Sequence, residues 1–230
     1  MVLKYLLFDI DGTIFDFDIC ERNSLIKAFE EHGISFSETI MKEYHEINLK
    51  LWEKHNKGLI TREKLSVERF ETLFDEFEIA VSPSDFAKTF RKYLNTFWAY
   101  IEGAKELLDD LKNRYELYAV TNGVAITQHT RLNDSGLNKV FKQIFISEEI
   151  GVQKPEKAFF DYCFERIENF DKNEAIIIGD SLSSDIKGGN NAGIKTCWFN
   201  RDFSKNTENV HIDYEISKIS QVYEVLGEKV

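Results

Sequence analysis

Five short apolar runs, each closed by a polar or glycine-containing turn, constrain this chain more than any other feature. They are Leu3–Phe8, Leu117–Val120, Gln143–Ile146, Ala175–Ile178 and Lys195–Phe199. Helical patterns near Gly103–Arg114, Ala125–Asp134, Pro155–Ile167 and Ser184–Asn191 alternate with them along the second half. Near-continuous apolar runs such as AIII suit strands covered on both faces, and strand–helix alternation predicts parallel pairing. The expectation is an α/β fold: a doubly wound, Rossmann-like parallel sheet.

The first and second runs are separated by over a hundred residues, far more than a crossover needs. That stretch shows helical periodicity throughout. Ile40, Tyr44, Ile47 and Leu51 form one stripe, Phe70, Leu73, Phe74 and Phe77 a second, and Phe86, Phe90, Tyr93 and Phe97 a third. Ser37, Thr61 and Ser82 mark helix starts, with Pro83 fitting the first turn and Asp85 the positive end of a helix dipole. With Ser24–His32 as a further helix, an inserted four-helix bundle is expected. The expected domains are a core of residues 1–18 and 99–230 and a helical insertion of residues 19–98. Aromatic residues at helical spacing are read as packing.

Chemistry concentrates where the apolar runs end, which is where open α/β sheets bind ligands. After the first run comes Asp9-Ile10-Asp11-Gly12-Thr13. One carboxylate can face a metal ion and a phosphorus atom while its neighbour two residues on serves as acid and base. Gly179-Asp180-Ser181-Leu182-Ser183-Ser184-Asp185 follows the fourth run and supplies two more carboxylates; N-capping of a helix Ile186–Asn191 is the alternative role for Asp185 and is compatible with supporting a metal ion. A hard cation such as Mg²⁺ takes one or two carboxylates with water and phosphate oxygens. Thr121-Asn122-Gly123 offers a hydroxyl and turn N–H groups for phosphate oxygens. Lys154, before Pro155, offers a point charge.

Other chemistries lack their motifs. His32, His45, His55, His129 and His211 show no zinc spacing. No GxSxG elbow, no GxGxxG after a strand and no GxxxxGK[ST] loop is present. Cys20, Cys163 and Cys197 are far apart and read as reduced and structural. With 29 Lys and Arg against 40 Asp and Glu, the net charge is −11, which argues against nucleic-acid polymers and anionic membranes as partners. No apolar run approaches a membrane span, and the N-terminal run turns acidic before a signal-peptide cleavage pattern forms, so the expected location is cytoplasmic.

In order, these motifs resemble the haloacid dehalogenase superfamily of phosphatases, with the helical insertion resembling the cap of the subclass that carries it after the first motif. More narrowly, VTNG, FISEEIGVQKP and NAGIKTCWFN are similar to segments of the bacterial pyrimidine 5′-nucleotidases. The resemblance implies that Asp9 is the nucleophile that forms an aspartyl-phosphate. Asp11 would protonate the leaving oxygen and later activate water; true dehalogenases lack an acid at that position. It further implies that Asp9, the backbone carbonyl of Asp11 and Asp180 hold Mg²⁺, with Asp185 supporting them. Thr121 and Lys154 would bind phosphoryl oxygens, Lys154 also neutralising Asp9.

The expected partner is a small phosphorylated substrate, with Thr13, Asn122 and Gly123 as further binding residues and the chain a monomer or homodimer. Phe15 and Phe17 follow the nucleophile closely enough for one to stack on a nucleobase, or to be buried against the insertion. A phosphoglycolate or sugar-phosphate phosphatase is the alternative, followed by a phosphomutase or a non-catalytic binding module.

Overall fold

The computed structural model describes residues 3–228. The outermost positions of the expected core, residues 1, 2, 229 and 230, lie outside the described residues. Six strands are formed among them: β1 (Tyr5–Phe8), β2 (Glu116–Thr121), β3 (Gln143–Ile146), β4 (Ala175–Gly179), β5 (Lys195–Phe199) and β6 (Tyr214–Ile216). They make one sheet in the order β3-β2-β1-β4-β5-β6, and every pairing is parallel. This is the doubly wound order, with the chain leaving β1 toward one edge and β4 toward the other.

Side chains of β1 alternate between two buried faces. Leu6 and Phe8 join Leu117, Ala119, Ile176 and Ile178 on one face, packed by α5 (Ala104–Leu111) through Leu107, Leu108 and Leu111. Tyr5 and Leu7 join Tyr118, Val120 and Ile177 on the other, packed by Phe159, Phe160 and Cys163 of α8 (Lys157–Phe164). Burial on both faces is why these strands read as unbroken apolar runs. Also present are α6 (Ala125–Asp134), the single turn α7 (Ser147–Ile150), α9 (Lys187–Ala192) and α10 (Val222–Val225).

The chain divides into two compact units, one holding the chain up to Phe17 and from Trp98 onward, the other Asp18–Phe97. The second contains α1 (Phe17–Glu31) from Asp18 on, α2 (Glu38–Asn56), α3 (Arg62–Glu76) and α4 (Pro83–Leu94). Ser37, Thr61 and Ser82 each accept the expected capping hydrogen bond, from the N–H of Ile40, Lys64 and Asp85. The aromatic stripes meet in the core of this unit: the ring of Phe86 lies 4.9–5.0 Å from those of Phe29, Phe70 and Phe74. Among the described residues, no helix is long and apolar enough to cross a membrane.

Candidate active site

Because the sheet is parallel, the carboxyl ends of its strands lie along one edge, and the expected residues gather there. Asp9 follows β1, Thr121 ends β2, Lys154 follows β3 and Asp180 follows β4. β1 and β4 are neighbours at the switch point, and the Asp9 N–H donates to the Ile178 carbonyl at 2.9 Å. Gly12 has φ +91°, and a Cβ there would stand 2.6 Å from Asp180 Oδ2, so only glycine lets the two loops approach. Behind Gly179 a Cβ would collide with the Asp185 carboxyl group.

Lys154 is the buried centre of this arrangement. Its ammonium donates to Asp9 Oδ1 at 2.6 Å, Asp185 Oδ1 at 2.6 Å and the Val120 carbonyl at 2.7 Å. An ammonium has three donors, and all three are engaged. Neutralisation of Asp9 is therefore in place, whereas contact with a phosphoryl oxygen requires one of these bonds to be exchanged. Burial opposes the charge of Lys154, but Asp185 and Asp9 outweigh it and raise its pKa. Asp185 does not cap a helix; Ser181 caps the π-type turn Leu182–Ile186, and Asp185 Oδ2 accepts the Ser181 N–H at 3.1 Å.

Ligand atoms of Asp9, Asp180 and Asp185 lie within 4.8 Å of one another. Burial, reinforced by Asp185 and Asp180, pushes Asp9 well above the usual carboxylate range despite Lys154. Burial and the Asp185 charge likewise push Asp180 up to about 7. With all three ionised, the carboxylates outnumber the single ammonium, and that negative excess would repel a phosphate dianion. An all-oxygen donor set with that excess fits a small hard divalent cation, which would cancel it.

Three expectations are corrected by the geometry, and a fourth residue, Asp11, has partners the sequence did not suggest. Thr13 is fully buried, and its hydroxyl donates to Asp180 Oδ1 at 3.1 Å, so it orients a carboxylate instead of facing a substrate. Phe15 is also fully buried, between Trp98, Tyr100 and the Arg131 guanidinium, and a ring without exposed surface cannot stack on a nucleobase. The Asn122 side chain brackets the backbone of Lys154, accepting its N–H at 3.0 Å and donating to its carbonyl at 2.9 Å. The Asp11 carboxylate turns to α6, where Gln128 donates to Oδ2 and Arg131 Nη2 lies 2.7 Å from Oδ1.

Thr121 is buried, with its hydroxyl accepting the Gly123 N–H at 3.0 Å, and Phe17 is half-buried at the start of α1. Gly123 is packed by the Gln128 amide, with which a Cβ would collide. Three contributors were not expected from the sequence: Gln128, Arg131, and Trp198, whose indole donates to the Asp180 carbonyl at 2.8 Å. The only signal for the first two is a pair of long polar side chains one turn apart on the helix that follows Thr121-Asn122-Gly123.

The profile of the haloacid dehalogenase-like hydrolases matches residues 6–199. The chain is 41% identical to the HAD-hydrolase YfnB of Bacillus subtilis over 97% of its own length and 95% of the relative's. It is 36% identical to the pyrimidine 5′-nucleotidase PynA of Streptococcus pneumoniae, covering 100% and 98% of the two chains. With the pyrimidine 5′-nucleotidase YjjG of Escherichia coli it shares 31% identity over 98% and 99%. The crystal structure of Bacillus subtilis YfnB bound to magnesium superposes with a TM-score of 0.93 at 40% identity, covering 99% of this chain and 100% of that one.

Proposed function

We propose, for a chain that belongs to the haloacid dehalogenase-like hydrolase family and is a phosphatase, a Mg²⁺-dependent reaction through an aspartyl-phosphate on pyrimidine nucleoside 5′-monophosphates. The observation that carries the covalent mechanism is the Asp9 carboxylate at the switch point, held by Lys154 at 2.6 Å beside the acidic cluster. Asp9 attacks phosphorus, forming the aspartyl-phosphate, an acyl phosphate anhydride with a new carboxylate oxygen–phosphorus bond, as the bond to the leaving oxygen breaks. Asp11 gives that oxygen a proton. In the second half Asp11 takes a proton from water as the water oxygen attacks phosphorus, releasing phosphate and restoring Asp9.

Asp9, the Asp11 backbone carbonyl and Asp180 would hold Mg²⁺, with Asp185 behind them. When bound, the ion supplies charge that draws in the phosphate dianion and stabilises the transferring phosphoryl group. Lys154 favours the ionised form of Asp9 and aims it, Asn122 fixes Lys154 through its backbone, and Thr121 offers its hydroxyl to a phosphoryl oxygen. All of these residues serve the phosphoryl group, so the leaving group is selected elsewhere in the chain, and the inserted helical segment is assigned that role. The nucleobase preference is supported by the names of the two nucleotidase relatives.

The test is phosphate release with UMP, dUMP and dTMP against AMP, phosphoglycolate and glucose phosphates, with Mg²⁺ and with EDTA. The pyrimidine nucleotides are expected to give the highest kcat/KM, EDTA to stop turnover and Asp9→Asn to abolish it. A higher kcat/KM for phosphoglycolate or a sugar phosphate overturns the nucleotidase assignment alone. Substantial turnover by Asp9→Asn overturns the covalent mechanism.

A further inference from the structure

Asp11 sits on a loop, yet its carboxylate is gripped by a helix. Gln128 and Arg131 stand one turn apart on α6 and are both fully buried. Gln128 Nε2 donates to Asp11 Oδ2, and Arg131 Nη2 stands 2.7 Å from Oδ1. The second contact is an ion pair whose angle falls outside that of a hydrogen bond, since Nη2 and Oδ1 both lack a hydrogen-bond partner. Arg131 Nε and Nη1 lack one as well, and the guanidinium rests 4.8 Å from the Phe15 ring centroid. Asp11 is thus the carboxylate that compensates this buried cation. Arginine stays charged when buried, and an ion pair is a costly way to fill a core that apolar side chains of equal volume would fill as well. Packing alone does not account for it.

The geometry explains what the pair can do. Asp11 keeps 23% of its side chain exposed while Oδ1 is buried, so one edge of the carboxyl is held and the rest stays open. Proton transfer needs a heavy-atom approach of roughly 2.6–3.2 Å, and an unrestrained aspartate turns about two dihedrals. Donors on a helix hold that approach more closely than a loop can, and a misplacement of about 1 Å costs roughly 100-fold in rate. We propose that Gln128 and Arg131 are positioning residues that clamp the Asp11 carboxyl group in the orientation from which it exchanges a proton with the leaving oxygen. This rests on the reading of Asp11 as the acid and base of the reaction.

The test compares two esters, p-nitrophenyl phosphate and ethyl phosphate, by kcat/KM, which reports the steps through departure of the leaving group. p-Nitrophenolate departs without a proton, whereas an alkoxide needs one. Arg131→Gln and Gln128→Met are expected to lower kcat/KM for the ethyl ester ~100-fold and for the p-nitrophenyl ester about threefold or less. Asp11→Asn should show the same selectivity, and adding Arg131→Gln to it should cost nothing further. Equal losses on both esters, or no loss on either, overturn the clamp. If Arg131→Gln fails to fold, as a thermal melt would report, the uncharged Gln128→Met decides by the same ratio. If Asp11→Asn itself lacks the selectivity, the acid–base reading of Asp11 falls; if only the α6 variants lack it, the clamp alone falls.

Discussion

Thr13 spends its one hydroxyl on Asp180, joining the loop after β1 to the loop after β4 at 3.1 Å. Thr13→Val keeps the size of the side chain and removes that bond, leaving Asp180 freer to turn. Supporting bonds of this kind are worth about 10–100-fold in metal affinity. Isothermal titration with Mg²⁺ is therefore expected to show a weaker dissociation constant in that range, with the circular dichroism spectrum unchanged; an unaltered constant would contradict the role given to Thr13. The carboxylates and Lys154 could be read from the sequence because each stands where an apolar run stops. Gln128 and Arg131 could not, since their partner lies more than a hundred residues away and no local pattern encodes it. Phe15 shows a choice the sequence left open: stacking on a nucleobase and burial were both offered by its place after Asp9, and its ring points into the core beside Tyr100.

At the scale of elements, β4 and the π-type turn after it behave as one device. Gly179 lets Asp185 fold back against the strand end, where it receives Lys154 and the Ser181 N–H. In Gly179→Ala the new methyl displaces the Asp185 carboxyl, and overpacking of this kind costs about 1–3 kcal/mol. Urea denaturation should register that loss, and kcat should fall with it because Lys154 loses one of its anchors; full activity at unchanged stability would rule the device out. Strands buried on both faces were legible as unbroken apolar runs, and β3 and β5 coincide with the expected Gln143–Ile146 and Lys195–Phe199. β6 was not, because three residues with an exposed Glu215 at their centre carry no such run. Helix starts were readable where a hydroxyl caps them. α1 begins earlier than expected, at Phe17 instead of Ser24, because its first turns bury Glu21 and Ser24 beside Cys20 and so present no apolar stripe.

Across the whole molecule, the acidic cluster ties stability to pH and to metal. The Asp180 carboxyl has an ordinary value of 3.8 and is pushed up to about 7, burial being the main cause. Between pH 3.8 and about 7 the folded protein therefore holds a proton there that the unfolded chain has lost. This contribution to stability is complete below 3.8 and is lost as the pH rises through about 7. Mg²⁺ competes with that proton, so the rise in Tm on adding Mg²⁺ is expected to be larger at pH 8 than at pH 5. For a chain of this size it should amount to about 2–4 °C for each kcal/mol of binding. A scanning calorimeter can measure both, and an equal or smaller rise at pH 8 would count against the cluster as the ion's site. The order of the strands has a consequence for synthesis. β1 lies in the middle of the sheet, yet its neighbours β2 and β4 begin at Glu116 and Ala175. At ~5–20 residues per second, the ribosome takes on the order of 5–25 seconds to make the first of them. All the residues of the helical core around Phe86 are made within that interval, while Tyr5-Leu6-Leu7-Phe8 waits with both edges unpaired for the chain that will flank it.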